Sequence, residues 1–164
     1  MSKIFHNPTK GQLSLDQVVN EISGFIQEDP YASYGLVIGT DSQDKKTKEA
    51  RWADFVTAIV IHRRGKGGRY FWQKTKKTKI YTLRDKIYAE TILSIQTAKN
   101  FVPKLKTSLN GNGQYELEIH IDVGEVGPTR EMIKEVVGIV RGNGLTPKIK
   151  PEAYGASVVA DKHT

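Results

Sequence analysis

The order of apolar and turn-forming segments predicts an α/β fold with a mixed five-stranded sheet: three antiparallel strands, two strands reached through helices, and an extra N-terminal helix. Three observations carry that reading. Leu36-Val37-Ile38-Gly39-Thr40-Asp41-Ser42 is a short apolar run ending on a carboxylate, the form of a buried strand that delivers an acid to the rim of a sheet. Two strand-like runs follow it with connections too short to cross over, which makes an antiparallel meander. Beyond residue 82 helical and strand periodicities alternate, and this requires helix-linked strands on the same sheet.

Taken in order, His6 to Gly11 reads as loop, with His6 a surface histidine rather than a ligand. Ser14-Leu15-Asp16-Gln17 has the form of a capping box, and Leu15, Val18, Val19, Ile22, Phe25 and Ile26 recur at helical spacing until Asp29-Pro30 stops the helix. After the first strand, Gln43 to Glu49 is a polar, lysine-rich connection. Trp52 to His62 is a long second strand, and Gly65-Lys66-Gly67-Gly68 turns it into a third, Arg69 to Lys74. Thr82-Leu83-Arg84-Asp85 opens a helix that the pattern carries to about Phe101, with Pro103 marking its end and Leu83, Ile87, Thr91, Ile95 and Ala98 as its inner stripe. Glu90 falls on the margin of that stripe, either as a functional acid or as a glutamate whose stem covers apolar surface.

Tyr115 to Asp122 alternates cleanly and ends on another acid, Asp122-Val123-Gly124. A helix then starts at Gly127-Pro128-Thr129, buries Met132, Ile133, Val136, Val137 and Val140, and stops at Gly142-Asn143-Gly144. Leu145 to Ile149 is a last short strand, and Pro151 to Asp161 a final helix.

The 164 residues suffice for one ordinary core, so one domain over 1–164 is expected, with 1–31 as a helical extension packed on it. No apolar run approaches a membrane span, and Met1 to Lys10 carries no signal-peptide core, which leads to an expected cytoplasmic location. With no cysteine, disulfides and thiolate metal sites are excluded. A metal would be held by carboxylate or imidazole, which favours Mg2+ or Mn2+.

The formal charge of +7 suits a polyanionic partner. Between His62 and Lys79 stand Arg63, Arg64, Lys66, Arg69, Lys74, Lys76, Lys77 and Lys79 with no acid among them, the composition of a nucleic-acid contact. Tyr70, Phe71 and Trp72 in their midst read as core.

Four acids, Asp41, Glu90, Asp122 and Asp161, arrive from separate elements. Clustered carboxylates repel unless a cation or proton intervenes, so their convergence would point to a divalent-metal site. Two ions about 3.5 to 4 Å apart can stabilise both the attacking and the leaving oxygen in phosphodiester cleavage.

This arrangement resembles the ribonuclease H-like superfamily. Ile38-Gly39-Thr40-Asp41-Ser42-Gln43, Asp122-Val123-Gly124-Glu125 and Ala153-Tyr154-Gly155-Ala156-Ser157-Val158-Val159-Ala160-Asp161-Lys162 are similar to the bacterial YkuK-type family of uncharacterised ribonuclease H-like proteins. Asn7 to Gly11 and Lys148-Ile149-Lys150-Pro151 share that similarity. The resemblance implies catalytic, metal-binding roles for all four acids: Asp41 bridging two metals, Asp122 and Asp161 each binding one, and Glu90 anchoring a metal or its water. Ser42 would orient a bound water or cap a turn, and His163 would assist proton transfer or product release, or else be a frayed terminal histidine.

The function expected is a metal-dependent nuclease acting on RNA, RNA/DNA hybrid or structured DNA. Its alternative is a nucleic-acid-binding or scaffold module that keeps the fold without turnover. An actin-like nucleotide hydrolase ranks last, because one domain cannot form a two-lobed cleft. The sequence has no Walker loop, no Gly-x-Ser-x-Gly elbow and no His-Glu-x-x-His helix.

Overall fold

In the computed structural model, which describes residues 4–46 and 51–153 and omits the side chains of 45, 46 and 76–78, seven strands form one mixed sheet. They are β1 (Phe5–Asn7), β2 (Gly11–Leu13), β3 (Tyr34–Lys46), β4 (Arg51–Arg63), β5 (Gly68–Lys79), β6 (Glu116–His120) and β7 (Pro147–Lys148), in spatial order β2-β1-β5-β4-β3-β6-β7. The helices are α1 (Leu15–Glu28), α2 (Leu83–Leu109) and α3 (Ile133–Gly142), the last preceded by a 3-10 turn over Arg130–Met132. The meander β3-β4-β5 is antiparallel, and β6 and β7 join it in parallel through α2 and α3.

The expected five strands are all present, and two short ones are added. Residues 5–13, of which His6 to Gly11 were expected as loop, form a hairpin on the β5 edge because Asn7 organises the turn. Its Oδ1 accepts from the amides of Thr9 and Lys10 at 2.9 and 2.8 Å, and its Nδ2 donates to the Tyr70 carbonyl at 3.0 Å. His6 stacks on Trp72 with ring centroids 4.4 Å apart. The polar connection expected after Ser42 instead continues β3 to Lys46, paired with Arg51–Asp54 of β4 and closed by an Arg51–Asp44 ion pair of 2.7 Å. β5 likewise runs on to Lys79.

Pro103 does not end α2. The carbonyl it cannot bond, that of Lys99, lies on the exposed side with Pro103 itself, so the helix continues to Leu109 and stops where Asn110 adopts a left-handed conformation with φ 49. The capping boxes at Ser14 and Thr82 are both formed, although Asp85 takes the place usually held by Glu or Gln. Of the expected final helix, Pro151 and Glu152 form a turn, and everything from Tyr154 lies outside the described residues.

One face of the sheet carries the main core. Leu36, Ile38, Ile59, Ile61, Phe71 and Ile119 project from alternate strand positions against Val18, Ile22 and Ile26 of α1, Ile95, Ala98 and Phe101 of α2, and Val136 and Val140 of α3. Tyr70 and Trp72 lie half-buried beside Ala58, while Phe71 alone of the three aromatics enters this core. No helix among the described residues is long and apolar enough to cross a membrane.

Candidate metal centre

The register of the sheet brings the acids together. β3 and β6 pair in parallel with Ile38 opposite Ile119 and Gly39 opposite His120, so continuing that register by two residues sets Asp41 beside Asp122. Glu90 is delivered by α2, and two hydrogen bonds fix how that helix lies. The Thr40 hydroxyl is 2.8 Å from that of Ser94, and the Ser42 hydroxyl donates to Glu90 Oε2 at 3.0 Å. Alternate strand residues are about 6.7 Å apart and helix positions i and i+4 about 6 Å, so the two spacings match. Thr40 also meets the Thr57 hydroxyl at 2.9 Å, which extends the network to β4.

One carboxylate oxygen from each of Asp41, Glu90 and Asp122 lies within 4.8 Å of the others. Glu90 is buried, 3% exposed, which removes the alternative of a surface glutamate covering apolar area with its stem. Its Oε1 has no hydrogen-bond partner among the described residues. Burial first, and then the negative charge of Asp41, hold its carboxyl well above the ordinary glutamate range; the Ser42 hydrogen bond opposes this, Asp122 adds to it, and Lys86 opposes it. Asp41 accepts from the Ser42 amide at 2.9 Å. Ser42 thus orients Glu90 in mid-strand, and there is no turn there for it to cap. Asp161 and His163 lie outside the described residues.

Two lysines with no functional role in the sequence reading border the cluster. Lys150 Nζ is 2.6 Å from Asp122 Oδ1, and that hydrogen bond is the main cause of its raised pKa, which burial opposes and the charges of Asp122, Asp41 and Glu90 reinforce. Lys86, one turn before Glu90 on α2, lies 3.5 Å from Asp44 Oδ1. The i, i+4 spacing of Lys86 and Glu90 was the available signal for Lys86. For Lys150 it was its place two residues past β7, as Asp122 is two past β6.

The expected basic tract is divided by the hairpin it spans. Arg63, Arg64, Lys66 and Arg69 lie at the β4-β5 turn, level with Tyr34, which is seven residues or roughly 23 Å along β3 from Asp41. Arg63 is bound into the fold, donating to Tyr34 Oη at 3.0 Å and the Phe25 carbonyl at 2.7 Å, and pairing with Glu28 at 3.2 Å. Arg64 pairs with Glu116 at 3.2 Å, and Arg69 lies over the Phe25 ring. Lys74 is at the acid end, in one row with Val56 and Asp41, and 3.9 Å from the buried Asp54. Lys79 lies over Tyr81; the side chains of Lys76 and Lys77 lie outside the described residues.

A buried, partly unsatisfied carboxylate beside two others is a donor set of hard oxygens suited to a divalent cation and unsuited to a soft metal. Residues 17–164 match the family model described as "Ribonuclease H-like". The chain is also 34% identical over 175 residues to "Uncharacterized protein YkuK" of Bacillus subtilis (strain 168), covering 99% of this chain and 98% of that protein. No solved structure matches.

Proposed function

The chain belongs to the ribonuclease H-like family, and on that premise we propose that it is a divalent-metal-dependent nuclease. It would hydrolyse phosphodiester bonds of RNA, RNA/DNA hybrid or structured DNA by two-metal-ion catalysis. The observation that supports this reading is the buried Glu90 Oε1, without a hydrogen-bond partner among the described residues, within the Asp41–Glu90–Asp122 cluster, an arrangement that costs stability as mere structure.

Asp41, Glu90 and Asp122 would hold Mg2+ or Mn2+, with Asp161 as the fourth carboxylate by resemblance. When bound, such ions supply Lewis acidity and neutralise charge on the transferring phosphate. The protein's own part is positioning. Ser42 fixes one oxygen of Glu90, and the Thr40–Ser94 hydrogen bond holds α2 so that Glu90 stays over Ser42 of β3. A bound cation would require the ionised form of Glu90, whose raised pKa would make occupancy depend on pH. Lys74, on the same row as Asp41, would meet a backbone phosphate.

The test is a calorimetric titration with MnCl2 of the parent, Asp41→Asn and Asp122→Asn, followed by cleavage assays on hybrid, RNA and branched DNA. Binding and cleavage lost in both variants would support the nuclease. Metal binding without cleavage of any substrate would favour a non-catalytic nucleic-acid-binding module, and no binding would remove the metal centre.

A further inference from the structure

The carboxylate cluster carries its own cation. Beyond His120 and Lys148, the last registered pair of β6 and β7, the Ile121 amide donates to the Lys148 carbonyl and the Lys150 amide to the Val123 carbonyl, each at 2.9 Å. The second bond is out of the β6-β7 register and ties the backbone of Lys150 to the residue that follows Asp122. Gly124 leaves room for the lysine stem: a Cβ there would come within 3.1 Å of Lys150 Cβ. The ammonium rests 2.6 Å from Asp122 Oδ1, on a carboxylate that belongs to the cluster a divalent cation would need.

We propose that Lys150 is an internal counterion of the cluster, which a divalent cation must displace from Asp122 in order to bind. The proposal rests on the metal-centre reading above. One monovalent charge cannot satisfy three carboxylates, but it lowers their mutual repulsion in the metal-free protein and raises the concentration of metal needed to occupy the site. The ammonium stays tethered at the rim after displacement, where it can meet the phosphate that the same metal would bind. Lys150 is thus a positioning residue for metal loading, distinct from the ligands.

The experiment is an MnCl2 titration of the parent, Lys150→Gln, Lys150→Arg and Asp122→Asn, with thermal melts confirming that each is folded. Loss of the competing charge should tighten Mn2+ binding by about two- to fivefold in Lys150→Gln, the scale expected of a part-exposed ion pair, and Lys150→Arg should return it to the parent value. A merely structural lysine would move the melt and leave the affinity. In the unmodified protein, the Lys150 side-chain NMR resonance should move toward that of an unpaired lysine as MgCl2 is added.

Equal or weaker Mn2+ binding in Lys150→Gln, with binding abolished in Asp122→Asn, would overturn the counterion role while the metal centre stands. Binding by Lys150→Gln but not by the parent would support it in its strongest form. No binding by either would overturn both. A Lys150 resonance that stays fixed while Mg2+ binds would likewise overturn the proposal.

Discussion

Replacing Asp41 by Asn should stabilise the metal-free protein and destabilise it, relative to the parent, once metal is added. The carboxylate oxygens of Asp41 and its two neighbours are within 4.8 Å. Two unit charges at that separation repel by about 3.5 kcal/mol at an effective dielectric of 20 and about 0.9 kcal/mol in water. Asp41 and Asp122 are both half-exposed and Lys150 already offsets part of the charge, which places the relief near the lower figure, about 1 kcal/mol. Asn keeps an oxygen to accept the Ser42 amide, so that hydrogen bond can be retained. For a chain of this length, about 1 kcal/mol corresponds to a rise in Tm of about 2–4 °C. At a hundredfold excess of Mn2+ over Kd the parent gains about 2.7 kcal/mol, or roughly 5–11 °C, and the variant little. The two melting curves, recorded with and without MnCl2, should therefore exchange order. A variant that melts several degrees below the parent in the absence of metal would refute the reasoning and make Asp41 a structural acid.

Glu90 predicts a second dependence, on pH. Its folded-state pKa is raised, so as pH climbs from the ordinary glutamate value of 4.5 the unfolded chain releases a proton that the folded chain keeps, and parent stability falls. Glu90→Gln lacks that loss; its metal-free stability advantage should grow across this window, and an advantage independent of pH in urea melts would contradict it. Metal binding needs the ionised acid, so Mn2+ affinity should rise with pH over the same window and release protons, measurable by calorimetry in buffers of different ionisation enthalpy. Thr40→Val should cost about 1–3 kcal/mol in urea unfolding, because it strips a partner from the buried hydroxyls of Thr57 and Ser94. If nucleic acid docks at the acid end, Lys74→Gln should lower the salt-dependence slope of binding by about one, and Lys66→Gln, at the far turn, should not. Equal losses from both would place the contact elsewhere.

The acids were legible because strand ends and helix margins show in local pattern. Asp41 closes an apolar run, Asp122 an alternating one, and Glu90 sits beside a stripe of period 3.6. The N-terminal hairpin was not legible, since three-residue strands leave no alternation to read and the turn is made by one asparagine side chain. Pro103 misled because its cost depends on which side of the helix its unbonded carbonyl faces, a matter of tertiary exposure. The basic tract looked continuous in one dimension, but a hairpin that reverses the chain sends its two halves to opposite ends of the sheet.

By itself the sequence determined the α/β class, the antiparallel meander and its two helix-linked strands, and which acids were candidates for one site. These rest on periodicities of two and 3.6 that neighbouring residues impose on one another. Only the tertiary structure decided that Glu90 is buried and bonded to Ser42, that Thr40 and Ser94 lock α2 in place, and that Lys150 faces Asp122. Those pairings span 48, 54 and 28 residues of chain. They are set by sheet register and helix docking, which no local window contains.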